Sequence, residues 1–513
     1  MSKTDTETKG RLEGKVALIT GAAGNLGTEI SRAFAREGAF VIMTGRTKDR
    51  IEAAREALIA ETGVAPTRVE TAVLDGGDPD SIRAAMAKLR SDYGRIDILI
   101  NNAGSAGPKQ PLHNVPLSAA EMEACGETET VRDAMLNILG VTWNMARIVA
   151  PMMPVGGSMV NISTIFSHTR YYGRTAYVVP KAALNALSSQ LASELGPRGI
   201  RVNTVFPGPI ESDRIRTVFA AMDAVQNQLE NTTADYFTGR MALARPTDGK
   251  LIGKPLPNPR DIAGACLFLA SDEAAGIAGE EIDVTHGLSA SRTSASTYMT
   301  RPSMRSLDGA GLNIFIASGE NWDEALEAAR PLVASGARVR LGLARNADVA
   351  QANARLKAQG IGDELSVCRF NRSEPAAMEE ALKEFSDEVD GAITGAIVLP
   401  VKPSGHFTGS LLAADDETVT KFTDTELVGS IAVARSLARY WYGHDILQSK
   451  PRCVFMTNPA DALGNSFAQV LSAGVTQLIR IWRDEERVYE ANGETNHAVW
   501  TNQIIRHTNS EAE

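Results

Sequence analysis

The sequence predicts an α/β fold built twice, as two doubly wound parallel sheets in tandem. Three observations lead there. From Lys15 to about Gly287, short β-branched runs alternate with Ala- and Leu-rich helical stretches. The alternation stops over residues 289–308, a Ser-, Thr- and Arg-rich stretch with little periodicity, and then restarts. The restart repeats the beginning: KVALITG at 15–21 returns as NIFIASG at 313–319, and EGAFVIMTGR at 37–46 as SGARVRLGLA at 335–344, both 298 residues later. A fixed offset of this kind marks an internal repeat.

The runs VALIT, FVIMTG, ETAVLD, DILINN, SMVNIST, IRVNTVF and EEIDVT read as strands. Most lack a polar face, as expected where helices cover both sides of a parallel sheet. After the break the strands are LNIFIASG, ARVRLGLAR, GAIVLPV and RCVFMTN. The second copy reads as unfinished. VNTVFPG at 202–208 is followed by some eighty residues and a last strand near Ile282, whereas its match TNQIIRH at 501–507 is followed by six residues. The expected organisation is a first domain over 1–290, a linker over 291–308, and a second, truncated domain over 309–513.

At about 150 residues per domain, 513 residues allow two to four domains. A composition of 43% hydrophobic and 22% charged residues supplies packed cores. With 52 Lys and Arg against 62 Asp and Glu, the net charge is −10, which argues against nucleic acid or an anionic membrane as partner. The charge-free stretch 148–168 carries Pro151, Pro154, Gly156 and Gly157, so no membrane span is expected. The opening MSKTDTETKG has no apolar core of a secretory signal, so a cytoplasmic location is expected. Cys125, Cys266, Cys368 and Cys453 are far apart with no CxxC, so they are read as reduced, buried thiols, and no metal site is expected.

Between the first strand and the first helix lies Gly21-Ala22-Ala23-Gly24-Asn25-Leu26-Gly27. Glycines there let backbone N–H groups approach a pyrophosphate at the helix N-terminus, the Rossmann-like arrangement. The second strand ends at Gly45-Arg46, where a carboxylate would hold both adenosine ribose hydroxyls. Arg46 offers a guanidinium for a 2′-phosphate and so favours NADP over NAD, unless it is a solvated surface residue. Asp75 ends the third strand, as an adenine contact or as a turn-initiating Asp. Further along stand Asn101-Asn102-Ala103-Gly104, Asn137, Ser163-Thr164, Tyr177-Val-Val-Pro-Lys181 and Pro207-Gly208-Pro209-Ile210. Each alone has a plain reading, as a turn or a helix-surface pair; their joint order after successive strands does not.

Over residues 12–290 this set resembles the short-chain dehydrogenase/reductase family. The resemblance implies that Gly21, Gly24, Asn25, Leu26, Gly27, Arg46, Asp75, Asn102, Ala103, Gly104, Tyr177, Lys181, Pro207, Gly208 and Ile210 bind NADP(H). It implies that Tyr177 donates a proton to a substrate carbonyl, that Lys181 sits on the nicotinamide ribose, and that Asn137 holds a water in a proton relay. The helical i, i+4 spacing puts Lys181 on the face of Tyr177, where an ammonium favours proton release from a phenol. Pro180 is unusual between them, and is tolerable if the helix starts only a few residues earlier. The family's serine falls thirteen residues before the tyrosine, at Thr164. Adjacent strand residues face opposite ways, so only Thr164 or Ser163 can serve, and Thr164 is preferred.

Arg170, Arg174, Arg214 and Arg216 flank the expected nicotinamide position, in IFSHTRYYGRTA and FPGPIESDRIRT. An arginine fork suits a substrate carboxylate, although pairing with Glu211 and Asp213 would account for them equally. Arg170, Arg174 and Arg214 are the candidates carried forward. The segments NNAGSAG, STIF, YYGR and FPGPIESDRIRTVF, with ARYW near Trp441, are similar to the N-terminal half of the bifunctional malonyl-CoA reductases of bacteria. That subfamily implies reduction of malonate semialdehyde to 3-hydroxypropionate with NADPH, and a C-terminal malonyl-CoA-reducing half of the same polypeptide as partner. A 3-oxoacyl thioester reductase and a scaffold half of a larger reductase are the alternatives. A homodimer is expected.

In the second copy the chemistry is lost. Gly24 and Gly27 map to Trp322 and Ala325, the NNAG turn to Pro400-Val401-Lys402-Pro403, Asn137 to Glu426, Thr164 to Asn458, and Tyr177 and Lys181 to Phe467 and Leu471. Helices around 427–441 and 467–484 are expected to dock on those around 133–150 and 178–195, as a pseudo-dimer within one chain. The apolar spacing Leu427, Ile431, Ala434, Leu437, Ala438 supports a buried face. Residues 211–257 are expected to form a mobile lid.

Overall fold

The computed structural model describes residues 10–168, 173–225, 228–241, 243, 245–247, 250–252, 256–289, 310–320, 322–344, 349–358, 364–401, 407, 409–443, 451–457, 466–491 and 500–505. The sequence-predicted linker lies outside them.

The first half contributes β1 (Val16–Ile19), β2 (Phe40–Gly45), β3 (Val69–Val73), β4 (Ile98–Asn101), β5 (Ser158–Ile162), β6 (Arg201–Pro207) and, after a short antiparallel pair β7 (Arg245–Thr247) and β8 (Lys250–Ile252), β9 (Glu281–Val284). The main sheet is parallel throughout, in the order β3-β2-β1-β4-β5-β6-β9. The chain leaves β1 for β2 and β3, then returns to β4 on the other side. The loops after β1 and β4 therefore diverge, and a crevice opens at the carboxyl ends of those strands.

The second half contains β10 (Asn313–Gly319), β11 (Arg338–Leu343), β12 (Leu365–Arg369), β13 (Gly395–Val398), β14 (Arg452–Thr457) and β15 (Trp500–Ile505), in the order β12-β11-β10-β13-β14-β15. This repeats the first sheet up to its sixth strand, and no seventh is present among the described residues. The tandem reading is thus borne out. The strand β12 went unread in the sequence. It is an edge strand whose Ser366 and Arg369 face outward, so it lacks the continuous apolar run of its neighbours.

The two halves pack as one body through the expected helices. Helix Thr175–Leu195 lies along helix Ser466–Ala491. Gly474 permits the close approach: a Cβ there would sit 2.9 Å from Leu427 Cδ2 and 3.6 Å from Val179 Cγ1. Gln190 lies between them, donating to Gln469 Oε1 at 2.5 Å and accepting from Ser466 Oγ at 3.0 Å. Trp143, fully buried, donates its indole N–H to Leu411 O at 2.7 Å and packs on Phe467 and Phe422. Arg132 grips Asp424 with two 2.8 Å bonds, and the buried Arg435 pairs with Glu121. Leu427, Ile431, Ala434, Leu437 and Ala438 are all buried within an apolar core that runs through both halves.

Cys266, Cys368 and Cys453 are buried and Cys125 half-buried, all as free thiols; burial pushes Cys266 and Cys368 up to about 12. No described helix is long and apolar enough to cross a membrane.

Candidate active site

The crevice is closed at its floor by hydrogen bonds between the ends of β1 and β4. Thr20 Oγ1 accepts the N–H groups of Asn102 at 3.0 Å and Ala103 at 2.9 Å, and Asn102 Nδ2 donates to Thr20 O at 3.0 Å and Gly21 O at 3.2 Å. Gly21 turns through φ +62°, a conformation that costs glycine little. A Cβ on Gly27 would lie 2.3 Å from Gly21 O, so any side chain there would break the cradle. Helix Asn25–Arg36 starts at Gly24 with no side-chain cap and no acid in its first turn. Its first N–H groups and positive dipole end are thus left for an anion.

A cavity of about 810 Å³ extends from this cradle to helix Thr175–Leu195. Gly21, Gly24, Asn25, Leu26, Gly27, Arg46, Asp75, Asn102, Ala103, Gly104, Pro207, Gly208 and Ile210 all line it. A Cβ at Gly45 would lie 2.9 Å from Ile51 Cγ2, so the position disfavours the carboxylate side chain that an unphosphorylated ribose would recruit. Arg46 stands exposed on the rim, joined by Arg50. Arg50 went unread; it stands in the first turn of helix Lys48–Thr62, just past Arg46, and lines the same cavity. Asp75 lines the cavity, and its Oδ1 accepts the N–H of Gly77 at 2.9 Å as a turn residue does.

At the far end the cavity brings together Asn137, Ser163, Thr164, Tyr177 and Lys181. Ser163 and Thr164 follow the end of β5, and their hydroxyls take different partners. The Ser163 hydroxyl donates to Asn185 Oδ1 at 2.5 Å, on the helix side. Thr164 Oγ1 accepts the N–H of Phe166 at 3.4 Å, capping the short 3₁₀ turn Ile165–Ser167. Helix Thr175–Leu195 starts five residues before Pro180, so the proline removes one early backbone bond and leaves the helix intact. Tyr177 is half-buried and faces the cavity, and Lys181 is buried one turn on, donating to Ile162 O at 2.6 Å. Asn137 sits in a π-helical turn, Leu136–Gly140, and lines the cavity. The second half has a π-helical turn, Thr423–Val428, in the corresponding helix.

Of the candidate arginines, Arg174 lines the cavity. It is buried, donates to Ala106 O at 2.8 Å, and holds its guanidinium carbon 5.0 Å from the Tyr177 ring centroid. Arg170 lies outside the described residues, and Arg214 is on helix Asp213–Val225 with its side chain outside them. Arg216 is exposed and pairs with Glu211 at 2.8 Å. The segment expected to be a lid folds into helices Asp213–Val225 and Thr232–Arg240. Phe219 stacks on Phe237, which meets the Phe166 ring at 5.4 Å, while Ile215 and Val218 line the cavity. Ser105 and Glu129 also line it; no spacing signal marked either in the sequence.

The corresponding strand ends of the second half are arranged differently among the described residues. Gly319 repeats the turn of Gly21 with φ +64°, and a Cβ there would lie 3.0 Å from Val401 Cα, as one on Gly21 would from Ala103 Cα. This equivalence sets Asn101-Asn102-Ala103 on Leu399-Pro400-Val401, one residue earlier than motif matching places the turn. Buried Arg372 donates to Ala317 O at 2.8 Å and to Leu399 O, and its pKa is drawn down to about 10 by burial. Glu426, in the place of Asn137, accepts the N–H of Val401 at 3.0 Å. Phe467 and Leu471 are buried, and Asn458 lies outside the described residues.

Comparison with known proteins agrees with this geometry. The short chain dehydrogenase family model matches residues 15–223. The chain is 33% identical to the 3-oxoacyl-[acyl-carrier-protein] reductase FabG of Thermotoga maritima, over 54% of this chain and 99% of the relative. It therefore belongs to the short-chain dehydrogenase family and is an oxidoreductase. Within that family it is similar along nearly its whole length to a crystal structure of the N-domain of a bacterial malonyl-CoA reductase with NADP. That likeness is 52% identity and a TM-score of 0.92, over 98% of this chain and 93% of the other. The C-domain of a bacterial malonyl-CoA reductase shares the fold, with 21% identity and a TM-score of 0.73 over 98% and 92%.

Proposed function

We propose that the first half, residues 1–290, is an NADPH-dependent aldehyde reductase that converts malonate semialdehyde to 3-hydroxypropionate. The second half, 309–513, is its non-catalytic companion. The observation that carries the reading is the convergence of Thr164, Tyr177, Lys181 and Asn137 with the buried Arg174 at the closed end of a dinucleotide-shaped crevice. The 52% identity to the N-domain of a bacterial malonyl-CoA reductase supports it.

NADPH, when bound, supplies the hydride for the aldehyde carbon. Gly21, Gly24 and Gly27 keep the backbone open to its pyrophosphate, and Arg46 with Arg50 meets a 2′-phosphate. The Tyr177 hydroxyl gives its proton to the carbonyl oxygen as negative charge develops there, and the Thr164 hydroxyl donates a hydrogen bond to the same oxygen. Lys181, held against Ile162 O, keeps a cation at the base of that site, and Asn137 stands where a proton could be resupplied. Arg174 faces the substrate carboxylate. A homodimer would have to use another face, since the helices Thr175–Leu195 and Ser466–Ala491 already pair inside the chain.

The test is NADPH oxidation with malonate semialdehyde, succinate semialdehyde and an acetoacetyl thioester in parallel. Malonate semialdehyde is expected to lead in kcat/KM by at least about tenfold. A preference for the thioester would replace the substrate, and no turnover with any of the three would leave the scaffold reading. The choice of hydroxyl has its own test. Thr164→Val is expected to lower kcat by about 10²-fold or more, whereas Ser163→Ala chiefly lowers the melting temperature. The opposite pattern would transfer the role to Ser163.

A further inference from the structure

We propose that Gln477, on the second half, is a positioning residue for the reaction carried out on the first. The inference rests on the assignment of Thr164 as the oxyanion hydroxyl. Thr164 opens the 3₁₀ turn Ile165–Ser167, and the placement of its hydroxyl depends on how that turn is held. From inside the first half the turn is held by Asn185, whose Nδ2 donates to Ser167 Oγ at 2.8 Å, while Ser167 Oγ donates to Thr164 O at 2.6 Å. From the other side it is held by the second half. Gln477, 1% exposed in helix Ser466–Ala491, donates its Nε2–H to Phe166 O at 3.1 Å.

Residue 166 is thereby pinned at both ends. Its N–H points to Thr164 Oγ1 and its C=O to Gln477. Its ring lines the cavity and carries the Phe237 edge. A shift of this carbonyl moves the Thr164 hydroxyl and the cavity wall together. The bond is buried, so water cannot replace it at no cost. Gly474, one helical turn before Gln477, lies against Val179 and Ala183, in the same helix contact that sets the amide beside Phe166. A half that has lost its own chemistry thus completes the support of its neighbour's active site.

The test uses the full chain with Gln477→Met, which keeps the length and loses the donor, and Gln477→Glu, which donates only when protonated. In folded Gln477→Met, confirmed by circular dichroism, kcat should fall about tenfold or more, because small misplacements of catalytic groups are costly. KM for NADPH should stay within about twofold, since the cradle is untouched. Backbone hydrogen exchange over 164–168, which requires no substrate, should rise about tenfold. The kcat of Gln477→Glu relative to wild type should recover as pH falls and the carboxyl gains its proton. Unchanged exchange in Gln477→Met, or raised exchange with unchanged kcat, would overturn the proposal, as would a Gln477→Glu whose kcat stays low at every pH. If the wild-type chain favours the thioester over the aldehyde acid, the same measurements with the thioester decide the role of Gln477, so the two readings fail separately.

Discussion

Tyr177→Phe is expected to cut kcat for aldehyde reduction by about 10³-fold while NADPH still binds. The substitution removes one oxygen. The ring keeps its place in the helix and its contact with the Arg174 guanidinium, and Lys181 keeps its bond to Ile162 O. What disappears is the only phenol that lines this cavity among the described residues. The carbonyl oxygen then gains charge as hydride arrives, with the Thr164 hydroxyl still in place but without the phenol that would neutralise it. A fluorescence titration should show NADPH binding retained, because the glycine cradle, Arg46 and Lys181 are untouched and only one of the cofactor's contacts is lost. Turnover within about tenfold of wild type would remove Tyr177 from its assigned role.

The second large effect is on stability. Trp143→Ala is expected to destabilise the chain by about 3–5 kcal/mol, the usual cost of deleting a large buried aromatic side chain. The cavity would open between Phe422 and Phe467 on one side and the first half's own core on the other, and it would leave Leu411 O without its 2.7 Å donor. Since one apolar core spans both halves, the wild-type chain should unfold in a single transition monitored by fluorescence and circular dichroism together. In the variant the midpoint should drop and activity should be lost in parallel. A midpoint unchanged within error, or a first half that stays folded and active after the second has melted, would show that the docking is incidental.

Much of this architecture is written locally. Buried parallel strands cannot be polar on either face, so VALIT, FVIMTG and NIFIASG declare themselves as runs. The glycine turn after β1 is legible because only small residues allow backbone to face a phosphate, and the loss of that turn at Trp322 is legible for the same reason. Even the dimer-like pairing shows as an apolar stripe from Leu427 to Ala438. The strand β12 was missed because an edge strand half open to water keeps polar residues and loses its run.

The one-residue error in the second copy's turn has a different origin. Motif matching compares letters, whereas the close approach of Gly319 to Val401 fixes which residues are equivalent in space. Glu129 and Ser105 belong to the cavity through loop geometry, and loops carry no periodicity from which to read a direction. The choice between Ser163 and Thr164 could be narrowed from the alternation of a strand; what separates the two is Asn185, twenty-odd positions away, taking the serine's hydroxyl.

The linear chain by itself determined the duplicated α/β plan, the dinucleotide cradle, the tyrosine–lysine pair and the decay of the second copy. Each of these depends on residue types at short spacing, where covalent geometry sets the distances. The tertiary structure alone decided that Arg174 rather than Arg216 lines the cavity beside Tyr177, that Arg372 bridges the ends of β10 and β13, and that Gln477 reaches Phe166 across the interface. Those contacts join residues tens to hundreds of positions apart, and nothing in local propensity specifies them until packing has brought the elements together.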